Sequence, residues 1–85
     1  MVRMVSNDEL AARATIKANA APKDSRDRRA WLQVATALRA THSQESARTI
    51  LRTLTLPVLA SDARKALDRL IAETLEIAER ERAET

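Results

Sequence analysis

LASDARKALDRLIAETLEIAERER, residues 59–82, is the stretch that decides the fold. Leu59, Ala63, Ala66, Leu67, Leu70, Ile71, Thr74, Leu75, Ile77 and Ala78 recur at the three- and four-residue steps of one broad helical face. Beyond Ala78 the chain turns polar, and Glu76 and Arg80 stand in the favourable i, i+4 order. The pattern predicts a helix from Ser61 to Arg82, roughly 33 Å long at 1.5 Å per residue. The upstream helices promise about half that length. Either two of them lie end to end along the long one, or a second subunit covers it. Leu67, Leu70, Ile71, Thr74 and Ile77 are therefore candidates for a symmetric dimer face. The same residues serve equally as internal core, and the repeat is too short for a coiled coil.

Upstream, Pro57 marks a boundary. It either stops a third helix near Thr55 or Leu56, or opens the last one, where its missing N–H costs nothing. The third helix carries Ala47, Ile50, Leu51 and Leu54, and its cap is Thr41, paired with Gln44 as a capping box, or Ser43. The second carries Trp31, Val34, Ala35 and Leu38, with Asp24 or Ser25 as its cap. Residues 21–25 form a linker around Pro22. The first helix starts at Ser6, paired with Glu9, and runs to Asn19 or Ala20. Its stripe of Leu10, Ala14, Ala18 and Ala21 is thin, and Ile16 falls off it.

The fold class that follows is all-α: a single domain over residues 1–85, a small bundle of about four helices with the last one longest, expected to dimerise. Residues 1–5 and 83–85 are expected to fray. Composition agrees. Of 85 residues 45% are hydrophobic, but 17 of these are Ala, which contributes little to burial, so the core is thin for the length. Glycine is absent, and Asn, Asp, Ser and Pro must make the turns. Trp31 is the one aromatic residue, and no alternating strand pattern occurs.

Several chemistries are excluded. Without Cys there is no disulfide, zinc–thiolate site or thiol nucleophile. Without Gly there is no phosphate-binding loop, dinucleotide fingerprint or calcium loop. His42 is the one imidazole. Ser43 follows it directly, but sequence neighbours rarely face each other and no acid stands behind the ring. Asp24 and Asp27 sit among Lys23, Arg26, Arg28 and Arg29, which reads as a helix start with ion pairs rather than a magnesium site. Glu73, Glu76 and Glu79 read as a solvated face. No cofactor, metal or catalytic residue is expected, and the chain is read as a non-enzyme. No apolar run reaches the length of a membrane span, and MVRMVSNDE lacks the apolar core of a signal peptide, so a cytoplasmic location without membrane contact is expected.

What remains is binding. The formal net charge is +3, with +5 in residues 1–55 and −2 in residues 56–85. Lys23, Arg26, Arg28 and Arg29 form the densest basic cluster, and Arg39, Arg48 and Arg52 follow. One reading is a small regulatory or inhibitory module acting through helix-mediated contacts with a protein partner. Such short, basic, glycine-free chains occur among regulators of phages and mobile elements, a likeness of class that no motif carries. Trp31 serves there as core or as interface anchor. The alternative is a sequence-specific DNA-binding regulator with a degenerate helix-turn-helix over residues 31–54. Its reading face would present Gln44, Glu45, Arg48 and Arg52, with the basic cluster at 23–29 on phosphate. Arg39 where that motif often has glycine, and Glu45 facing the DNA, both count against it.

Overall fold

A computed structural model of the chain describes residues 6–83. The described residues form four helices: α1 (Asn7–Ala20), α2 (Arg26–Arg39), α3 (Gln44–Arg52) and α4 (Pro57–Ala83). The fraying expected of 1–5 and 84–85 lies outside the described residues, and Ala83 is the last residue of α4.

Each of the first three helices starts on a serine. The Ser6 hydroxyl accepts from the Glu9 N–H, that of Ser25 from Arg28 and that of Ser43 from Ser46. Such caps satisfy N–H groups that have no partner inside the helix and contribute about 1 kcal/mol apiece. Ser43 prevails over Thr41 because the Thr41 hydroxyl is used otherwise, donating back to the Ala37 carbonyl at 2.8 Å. Ser25 prevails over Asp24 for a different reason. Asp24 takes the left-handed backbone region (φ 63°) that reverses the chain between α1 and α2. In a chain without glycine, Asp is among the residues that tolerate this geometry best. Pro57 opens α4 rather than ending α3. The Leu56 carbonyl accepts from the Ala60 N–H at 2.9 Å, and the helix gains a turn over the expected start at Ser61. At 27 residues α4 is about 40 Å long and sets the 43 Å long axis of the molecule.

α2 is the central element and touches each of the other three helices. α1 lies antiparallel to it. Asn7 at the start of α1 reaches Thr41 beyond the end of α2, and Lys17 near the end of α1 sits over Trp31, its Nζ 5.4 Å from the ring centroid. α3 turns back along the first half of α4, where Arg48 meets Asp68 at 2.7 Å. The start of α2 lies on the other flank of α4, where Arg26 meets Asp62. α1 reaches the second half of α4 through Lys17 and Glu73 at 2.9 Å.

The core is built from Leu10, Ala11 and Ala14 of α1, Val34, Ala35, Ala37 and Leu38 of α2, Ala47 and Leu51 of α3, and Ala63, Leu67 and Leu70 of α4. Trp31, Leu54, Ala66 and Ile71 pack against it partly buried. Trp31 is thus an edge of the core. Two expectations are corrected here. Ile50 belongs to the apolar pattern of α3 but is exposed, because Ala47 and Leu51 already fill the inward side. The proposed dimer face is largely consumed by the chain itself: Leu67, Leu70 and Thr74 are buried within one chain. The cause is that α2 and α3 lie on opposite flanks of α4 along its first half and α1 adjoins the second, so two shorter helices side by side supply the cover a second subunit was expected to provide. Ile71 and Ile77 are half-buried, and only Leu75 of that apolar pattern stands out into solvent, at 44% exposure. Among the described residues no helix is long and apolar enough to cross a membrane.

Candidate functional site

The site begins with α3. Its buried side is fixed by Ala47 and Leu51, which rotates Arg48 and Arg52, at i+1 from each, to the outside. The same logic acts on α4. Ala60, Ala63, Leu67 and Leu70 face inward, so Arg64 is carried to the flank next to α3 and Lys65 to the outer ridge. Packing α3 against α4 then brings four cations to one groove, lined by Arg48, Arg52, Ser61, Arg64, Lys65 and Asp68 and about 270 Å³ in volume. Asp68 is the single carboxylate among the described residues that line it, which together carry a formal +3.

The electrostatics of that groove are uneven. Arg48 is committed to Asp68, and its Nε is buried without an acceptor among the described residues. Arg52, Arg64 and Lys65 are exposed and form no ion pair with any described residue. Like charges lining one groove repel one another, and an anion bound there relieves the repulsion.

On the other side of α3 the groove continues into a wider cleft of about 800 Å³, bounded by Asn7 and Asp8 of α1, residues 41–43 of the α2–α3 link, and Gln44, Glu45, Arg48, Thr49 and Arg52 of α3. Arg48 and Arg52 line both. Here Asp8 and Glu45 balance the two arginines. Asn7 fixes the floor. Its Nδ2 donates to the Thr41 carbonyl at 3.0 Å, the Thr41 hydroxyl at 3.1 Å and the Ser43 carbonyl at 3.1 Å. His42 lies on the rim, exposed, and its ring makes no hydrogen bond with a described residue. A smaller cleft on the far flank of α4 has Lys65 and Arg69 against Asp27 and Asp62 and is balanced.

The residues singled out from sequence fall into two groups that the fold keeps apart. Gln44, Arg48 and Arg52 meet along one side of α3 at the large cleft. Lys23, Arg26, Arg28 and Arg29 stand in the α1–α2 link and the first turn of α2, on the other flank of α4. Arg26 there is held bidentately by Asp62, at 3.1 and 3.2 Å. Sequence reasoning missed Arg64 and Lys65, which complete the groove. Their signal was an adjacent basic pair flanking the apolar face of the strongest helix, but which flank α3 covers is a property of the packing. Between α2 and α3 stand four residues, 40–43, a link of helix-turn-helix length. Among the described residues no group of three or more His, Asp or Glu side chains is placed to hold a metal ion. No family model matches the chain, and no curated protein or solved structure is significantly similar to it.

Proposed function

We propose that the chain is a non-catalytic binding module that docks an anionic macromolecule on the face formed by α3 and the first half of α4. The observation that carries this reading is the groove in which Arg48, Arg52, Arg64 and Lys65 stand against Asp68 alone. A binding face of this kind steers an oppositely charged partner and raises its association rate. Regulation or inhibition by occupying the partner's surface requires nothing more of so small a chain.

A second reading, a helix-mediated protein contact, rests on the α3–α4 corner. Leu56 and Val58 are exposed there at 62% and 59%, two positions apart at the start of α4. Large exposed apolar side chains at one corner of a small domain suit a protein contact.

The first reading is tested on immobilised heparin, a polyanion without sequence. The wild-type chain is expected to be retained at low salt and the variant Arg52→Glu/Arg64→Glu/Lys65→Glu to pass through. The control Lys23→Glu/Arg28→Glu/Arg29→Glu changes net charge by the same amount on the other group and is expected to stay bound. Equal elution of the two variants would show that net charge, and not this face, governs binding. Circular dichroism of each variant confirms that the helices remain.

A further inference from the structure

We infer that the anionic partner is a double-helical nucleic acid, gripped by its phosphate backbone between α3 and α4; the inference rests on the α3–α4 face being the docking face. The argument is the chemistry of the lining. Among the described residues, no apolar side chain lines the groove or the wider cleft that continues it. Protein partners are held by a desolvated centre of aromatic and aliphatic anchors with a polar rim. This surface is rim throughout. The exposed apolar pair, Leu56 and Val58, lines neither cleft, and Trp31 is packed against the core under Lys17. Interfaces with nucleic acid, by contrast, are polar and strongly positive, and most of their hydrogen bonds run from Arg, Lys, Ser, Thr and Gln to phosphate and sugar.

The groove supplies that set. Arg52, Arg64 and Lys65 make no ion pair among the described residues, Ser61 of α4 lines the groove beside them, and Gln44 and Thr49 continue the donors along α3. Arg48 and Arg52 repeat at i, i+4, about 6 Å apart along the helix, and face Arg64 and Lys65 on the neighbouring one. Cations contributed by two helices to an open groove suit an extended polyanion better than a small enclosed anion. A single strand is disfavoured, because base stacking needs exposed aromatic platforms and, among the described residues, no Phe, Tyr or Trp lines the groove or the wider cleft. Specificity for base sequence is not part of the inference, since the carboxylates Asp8 and Glu45 line the wider cleft together with Gln44 and Arg48.

The test is fluorescence anisotropy with a short labelled DNA duplex of mixed sequence. With about three phosphates neutralised, affinity is expected to fall about 40-fold between about 50 and 200 mM salt. Arg52→Glu/Arg64→Glu/Lys65→Glu is expected to lose at least about tenfold at low salt, and Lys23→Glu/Arg28→Glu/Arg29→Glu less than about threefold, since separated charges are screened. The corresponding single strand is expected to bind more weakly than the duplex. Retention on heparin with no duplex binding would overturn the inference and leave the docking face standing, with an acidic protein as its partner. Failure on both would overturn both. Tighter binding to the single strand than to the duplex would also overturn the inference.

Discussion

Truncating Leu67 to Ala is expected to cost about 3 kcal/mol and to lower the thermal midpoint by roughly 15 °C, the conversion for a domain of this size. Leu67 has no exposed surface. Its neighbours locate it. Asp68 meets Arg48 of α3, and Ala66 shares a cleft with Trp31 of α2, so Leu67 points inward between the two helices that cover α4. Among the described residues six large side chains are fully buried, Leu10, Val34, Leu38, Leu51, Leu67 and Leu70, because so many core positions are Ala. Each therefore holds a large share of a margin that is only about 5–15 kcal/mol in such domains. Leu75→Ala, at a position 44% exposed, is the control and is expected to cost less than about 1 kcal/mol. Urea melts at two protein concentrations check both. Loss at Leu67 that disappears as concentration rises would mean that the face is shielded by a second copy after all, since association shifts apparent stability by mass action.

The second large effect lies at Asn7. Its side chain is almost wholly buried, and one NH₂ group serves three oxygens of the α2–α3 link. Asn7→Ala leaves those acceptors without their donor and is expected to cost about 2 kcal/mol. Asn7→Asp is expected to be worse. It sets a carboxylate about 3 Å from three oxygens, an interaction that outweighs the fraction of a kcal/mol an acid gains in a first helical turn. Because the bonds tie α1 to the link, the loss should be local as well as global. Amide hydrogen exchange is expected to speed up at residues 40–46 and in the first turn of α1 before it does in α4. Uniform loss of protection in Asn7→Ala would contradict the assignment of Asn7 as a local tie.

Asn7 also shows what the sequence conceals. In the chain it reads as one more polar residue of a first turn. Its role depends on Thr41 and Ser43, more than thirty residues away, which no local pattern links to it. The local grammar was legible. Ser6 as a cap, Pro57 as a helix boundary and the stripes on α2 and α4 follow from rules that act within a turn or two. Choices between neighbours were not: Asp24 against Ser25 and Thr41 against Ser43 were decided by a left-handed turn and by a bond back to Ala37.

The candidate site divides in the same way. Arg48 and Arg52 were legible as a pair on one side of α3, since their spacing is a helical repeat. Arg64 and Lys65 were not, because their membership depends on α3 lying along one flank of α4 and α2 along the other. The denser cluster at 23–29 drew attention by its count of charges. Structure places it elsewhere, with Arg26 already committed to Asp62. Likewise the length of α4 suggested a partner helix for Leu67 and Leu70, whereas the chain covers them itself.

The most direct measurement is the backbone amide spectrum of the labelled chain titrated with duplex DNA at low salt. If the docking face is as described, shifts will concentrate in residues 44–52 and 61–68, with the Arg52, Arg64 and Lys65 amides among the largest. Shifts confined to residues 23–29, or spread over the tail of α4 from Glu76 onward with α3 unmoved, would contradict it.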